Sequence, residues 1–225
     1  MSSATPPEAT SRALAHTEDS AAPALRALIE APAENIAEIG ALFDRLSPPV
    51  RLAATRSLDR ALQRRLYQKA ARSAPLRADH FVPAHIPAEV EVIHHGQNTL
   101  PLPRPWKRFE KRFCRPAASG DRLFGYNESP TRGLIGPGYF VLIPTAGVTA
   151  WEPRGPLVVD YFQVPDGPVV PAWPKVVPNT RGLQFFVYNK TRDFMRGVSE
   201  HVSIGAAYKV ESALDHYFVL CRANG

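Results

Sequence analysis

Between residues 23 and 73 the apolar positions recur every three or four residues: Leu25, Leu28 and Ile29, then Ile36, Ile39, Leu42, Phe43 and Leu46, then Leu58, Leu62 and Leu66. This spacing matches the 3.6-residue turn of helices that set one face against a core, and it predicts three of them. Ser47 followed by Pro48 marks the start of the third, because serine caps free backbone N–H groups and proline fits the first turn. Arg56, Arg60 and Arg64, four apart, form a basic stripe beside the leucine face.

After Pro75 prolines and glycines multiply and the period falls to two. Val90 and Val92 alternate with Glu89 and Glu91 ahead of His94 and His95, as in a short strand. Trp106, Phe109 and Phe113, with Lys107, Arg108, Lys111 and Arg112 between them, read as an amphipathic helical turn or two. Further strands are expected over 122–127, 139–143, 157–164, 183–188, 198–210 and 213–222, each bounded by Gly, Pro, Asn or Asp. With no long helix between them these strands favour an antiparallel arrangement, which must curl, close or be covered to protect its edges. The fold class expected is therefore α+β: N-terminal helices followed by a curved antiparallel β-sheet or barrel-like meander, with the helices over an open end or one face. Residues 1–22 read as a disordered tail, 23–75 as the helical segment and 76–225 as the β domain, with the last two packed as one unit. The proline-rich stretch 165–180 reads as a semi-rigid lid anchored by Trp173.

Composition narrows the class. Of 225 residues 44% are hydrophobic and 21% charged, an ordinary soluble balance, and no run approaches the ~20 apolar residues of a membrane span. The first residues lack the basic start and apolar stretch of a secretory signal, and two cysteines, Cys114 and Cys221, exclude a disulfide framework. A cytoplasmic setting follows as the expectation. The net charge of +6 favours anionic partners without choosing among them.

No motif names a reaction. His94 and His95 would point to opposite strand faces, and no HxH or HxxxH pair occurs, so neither a metal site nor a cofactor is expected. Gly133, Gly136 and Gly138 lack phosphate-loop spacing and read as a tight turn, with Arg132 beside them as an anion contact. Cys114, between cationic neighbours, is a candidate for a lowered thiol pKa, although a structural role fits it better. Asp160, set within an apolar strand, and His216, alternating with Leu214, Phe218 and Leu220, are the candidate acid and base, and Tyr126 at a strand end is the candidate orienting group. Arg196, Arg132, Trp173 and His201 are the candidate ligand-binding residues.

The function expected is that of a small-molecule-binding, barrel-like protein for a partly apolar ligand with an anionic group, with acid–base chemistry of the lyase or isomerase type as its enzymatic form. The alternative is a basic interaction module that binds nucleic acid or an acidic protein through its arginine-rich stretches. A purely structural protein would instead have a sheet core filled with side chains.

Overall fold

The computed structural model describes residues 20–117 and 120–223. Most of the expected tail lies outside the described residues, but 20–22, assigned to it, are already helical, in a helix described over 20–30 (α1). Helices α2 (Ile36–Arg45), α3 (Pro48–Arg56) and α4 (Arg60–Lys69) follow. A helix does start at Ser47, although its hydroxyl makes no capping bond, but the single third helix expected to carry Leu58, Leu62 and Leu66 is two: α3 ends at Arg56, which parts it from Arg60 and Arg64, and Asp59 caps α4, its side chain accepting from the Leu62 N–H at 3.0 Å.

Eight strands then form a closed antiparallel barrel in sequence order: β1 (Val92–Asn98), β2 (Arg108–Cys114), β3 (Leu123–Glu128), β4 (Phe140–Pro144), β5 (Leu157–Asp160), β6 (Thr191–Gly197), β7 (Val202–Lys209) and β8 (Ser212–Arg222), with β8 returning to pair with β1. Closure leaves no strand edge exposed to another chain. One end, here proximal, holds the start of β1 and the finish of β8. The other, distal, carries the β1–β2, β3–β4, β5–β6 and β7–β8 connections.

The inner face is read from the register. Phe113, Leu123, Phe140, Leu142, Leu157, Val159, Met195, Phe218 and Leu220 form one buried cluster, joined at the proximal end by Leu76, Phe81 and Val82 of the segment that precedes β1. Three directly paired positions set a glycine against an aromatic ring: Gly96 with Phe109, Gly125 with Phe140, and Gly205 with Phe218. A β-carbon on Gly205 would lie 2.2 Å from the Phe218 ring, so its absence lets the ring lie across the neighbouring strand.

On the outside, α1 to α4 share a second cluster with Val202, Ile204, Ala206, Val219 and Cys221, so the helices cover the face of β7 and β8. Arg51 holds the end of α2 through the Phe43 and Leu46 carbonyls, each at 3.0 Å. A third cluster forms where Trp173 and the valines of the proline-rich stretch cover Tyr126, Tyr139, Val141 and Cys114.

Three further sequence expectations are corrected. The expected helix around Trp106 is a 3₁₀ turn (Arg104–Lys107) leading into β2; Phe109, Lys111 and Phe113 also alternate at period two, and the barrel selects that reading. The strand expected over 183–188 is a single helical turn, α6 (Gln184–Val187), whose continuous apolar run lacks the alternation of a half-buried strand. The strand expected from 198 begins at Val202, and β6, unforeseen, precedes it, its outward Arg192 and Arg196 and inward Asp193 having masked the pattern.

Candidate functional site

Alternation along β2 sends Phe109, Lys111 and Phe113 inward, which carries a lysine onto the barrel axis. Lys111 is 1% exposed. Its ammonium has three protons, and three acceptors meet it: Asn127 Oδ1 at 3.0 Å, Asp193 Oδ2 at 3.1 Å, and the Tyr161 hydroxyl in a short contact. Asn127 lies directly across from Lys111 on β3, Asp193 comes from β6, and Tyr161 follows β5, so closure of the sheet brings the groups together. Asn127 Nδ2 donates to the Tyr161 oxygen and to the Gly138 carbonyl, each at 3.0 Å, and the Tyr161 hydroxyl lies 3.3 Å from Asp193.

Aromatic rings enclose the amine. Lys111 Nζ lies 4.9 Å from the Phe140 and Phe218 ring centres, 5.0 Å from Tyr161 and 5.8 Å from Phe109. Ring faces attract a cation, and here they replace part of its lost hydration. Burial pushes the Lys111 pKa down and the Asp193 pKa up, while their contact opposes both shifts. Desolvation also drives the Tyr161 hydroxyl well above its ordinary value. The ammonium, carboxylate and phenol are thus held within proton-transfer distance of one another in a buried interior.

Over this cluster, on the distal side, lies Tyr188, its ring stacked on Tyr161 at 5.2 Å. Gly138, at φ +55°, has no β-carbon to collide with the Tyr188 ring. Gln184 Oε1 accepts from the Gly138 N–H at 2.8 Å. Apart from these inward groups, α6 and its flank face solvent: Leu183, Phe185, Phe186 and Val187 are all exposed.

The seven residues proposed from sequence do not converge. Asp160 is buried on the outer side of β5, accepting from Phe162 N and Gln163 Nε2 and pairing with Arg192 at 3.3 Å. Tyr126 packs outside the barrel against Tyr139 and Trp173. Trp173 anchors the proline-rich stretch as expected, its indole N–H donating to Glu91 at 2.6 Å, but the stretch covers a wall rather than a mouth. Arg196 lies in the seam beside the helices, donating to the Tyr67 and Pro153 carbonyls. Arg132, in the one-turn helix α5 (Arg132–Ile135), pairs with Glu128 at the distal end. His201 meets Arg222 at 3.0 Å at the proximal end. Only His216 shares the inner face, in register one step distal to Phe218.

The proximal end carries an open groove of about 640 Å³ lined by Arg77, His80, His85, Ser199, Glu200 and Arg222, among others. Behind it His94, fully buried, meets the Phe81 carbonyl at 3.0 Å, and burial lowers its pKa to about 3. Among the described residues no cluster of three or more His, Cys, Asp or Glu side chains is arranged to hold a metal ion. Cys114 and Cys221 are free and buried, and burial raises both thiols to about 11, the reverse of the lowering considered for Cys114. No helix among the described residues is long and apolar enough to cross a membrane.

None of Lys111, Asp193, Asn127 and Tyr161 is among the site residues proposed from sequence. The available signal was parity: Lys111 alternates with Phe109 and Phe113, and Asp193 with Met195, placing charged residues at core positions. No protein-family description, curated protein sequence or solved structure matches this chain.

Proposed function

We propose that the barrel binds an apolar small molecule bearing a carboxylate or carbonyl head, taken up through the distal mouth, with the head received by Lys111, Tyr161 and Asn127. The observation that carries this reading is the lysine amine on the barrel axis. Burying an ammonium and a carboxylate costs more than filling the same space with apolar side chains, so such a pair is weakly explained by stability and better explained by use. An entering anionic head takes the place of one of the three acceptors that now meet the ammonium, and the surrounding rings suit an apolar body.

Access is supported by the weak hold of the cover. Leu183, Phe185 and Val187 are only about half buried and Phe186 less, so α6 adds modest apolar burial to the Gln184 hydrogen bond, the Tyr188 ring and the Asn179 bonds to the Tyr139 and Tyr161 carbonyls that keep the cover down. Segments with few buried contacts open at low cost. Displacing Tyr188 and the rings below it admits the head. Burial lowers the Lys111 pKa and raises that of Asp193, which brings the two closer together than in water and suits acid–base chemistry on a carbonyl ligand.

The test uses cis-parinaric acid, a slender fluorescent fatty acid, and its methyl ester as head-group control. The protein should bind the acid, and the volume-conserving double variant Lys111→Met/Asp193→Asn should bind it at least about tenfold more weakly, as expected for loss of a charge-assisted hydrogen bond, with ester binding little changed. Failure of the native protein to bind either probe, or equal binding of the acid by the folded double variant, overturns the proposal.

A further inference from the structure

We propose that the distal rim of the barrel docks on an anionic lipid membrane, inserting its exposed apolar side chains among the headgroups. This goes beyond ligand binding and does not depend on it.

Exposed apolar residues are concentrated at one place. Among the described residues, the exposed large hydrophobics other than Val90 and Val148 all lie at the distal end. Leu134 is 74% exposed, Phe186 72% and Trp106 53%. They come from neighbouring connections. Strand β2, which follows the Trp106 turn, pairs with β3 just before α5, and a β-carbon on Gly136 beside α5 would meet the Gln184 side chain of α6 at 2.4 Å. Trp106, Leu134, Leu183, Phe185, Phe186 and Val187 therefore crown adjoining loops of one mouth. Scattered exposed hydrophobics need no explanation, but a concentration of them marks an interaction surface.

Charge indicates the partner. Every acidic side chain of these connections and the adjoining strand ends is paired: Glu128 with Arg132, Asp160 with Arg192, Glu211 with Arg154, and Asp215 with Arg60. Asp166, within the long β5–β6 connection, pairs with Arg122. Arg104, Lys107, Arg108, Arg181 and Lys190 form no ion pair among the described residues, leaving the rim cationic. Aromatic and aliphatic tips set among unpaired cations are the composition of an interfacial membrane element: the rings and aliphatic groups enter the acyl boundary while lysine and arginine meet lipid phosphates and carboxylates. Nucleic acid would match the cations but offers no apolar phase for Leu134, Leu183 and Val187. A second copy would bring its own cations against the same surface, placing like charges in contact.

The test is sedimentation of the full chain with vesicles of phosphatidylcholine alone or mixed with phosphatidylserine, at low and high salt. The protein should pellet with the mixed vesicles, bind neutral ones at least about tenfold more weakly, and be released by salt. Phe185→Ser/Phe186→Ser and Arg104→Glu/Lys107→Glu should each weaken binding by about tenfold or more with circular dichroism and melting unchanged, since these residues add little to the core. No binding to mixed vesicles overturns the proposal, as does binding indifferent to both substitutions. So does a concentration-dependent dimer, or retention of a single-stranded oligonucleotide, abolished by the same variants while vesicles are ignored. Because none of these outcomes involves cis-parinaric acid, failure here is distinguishable from failure of the ligand reading.

Discussion

Replacing Lys111 with methionine keeps an unbranched side chain of similar length inside the aromatic cage but removes three hydrogen-bond donors and one charge. At the observed 3.1 Å between Lys111 Nζ and Asp193 Oδ2, Coulomb attraction at an effective dielectric of ~20 is about 5 kcal/mol. Part of this offsets the desolvation of the two ions, so the informative quantity is their coupling. Lys111→Met strands a buried carboxylate and should cost about 3–5 kcal/mol, and Asp193→Asn, which strands the ammonium, should cost a similar amount. The double variant strands neither charge, and methionine sulfur packs well against the four rings, so its cost should be about 1–3 kcal/mol, far below the sum. In a chain of this size each single variant should lower Tm by roughly 6–20 °C. Urea denaturation of the four proteins gives the coupling directly, provided the m-value stays constant. Acidification adds a check of sign: without lysine, the raised pKa of Asp193 favours its neutral form in the folded state, so the deficit of Lys111→Met should shrink as pH falls. Additive single costs, or a single variant as stable as the native chain, would refute the buried ion pair as the organising contact of the interior.

Two further outcomes follow from the packing and titration of the core. Gly205→Ala brings a β-carbon to within 2.2 Å of the Phe218 ring, and thermal melts should show a loss of about 1–3 kcal/mol, which a Phe218→Leu background should reduce. His94, with its folded pKa lowered to about 3 by burial, is neutral in the native state and takes a proton on unfolding below about pH 6.5. Its contribution is complete above that pH and declines as pH falls toward the folded value, by up to about 1.4 kcal/mol per unit. Urea midpoints of native and His94→Phe protein should therefore converge on acidification, and parallel profiles would contradict the assignment.

The fold was legible where burial has one period. The helices beneath β7 and β8 carry a 3.6-residue stripe because one face of each meets a core, and β3, β4 and β8 stand out as apolar runs between turn residues because both of their faces are covered, Phe140 and Leu142 facing the interior while Val141 and Ile143 meet the proline-rich stretch. The pattern failed where a charge stands on the inner face, as Lys111 does in β2 and Asp193 in β6, and at α6, which is apolar although it lies on the surface. For the site, parity could place Lys111 and Asp193 on apolar faces, but their meeting depends on curling strands 82 residues apart into one barrel. Asp160 and Tyr126 illustrate the converse: each alternates convincingly, yet the face to which it points is an outer wall covered by other parts of the chain.

Closure of the barrel has a kinetic consequence. The seam between β1 and β8 joins residues 92–98 to residues 218–222, and α1 to α4 are made well before their barrel partners in β7 and β8. During synthesis the helices can pack on one another, but the face they turn to the barrel has no native partner until β7 and β8 have left the ribosome. Contacts so distant in sequence must repay a large loop-closure entropy before they stabilise anything, which slows folding and prolongs exposure of sticky intermediates. Loss of β8 alone would leave β1 and β7 as open edges and take Val219 and Cys221 from beneath the helices, so this one eleven-residue strand completes both the sheet and the helical layer.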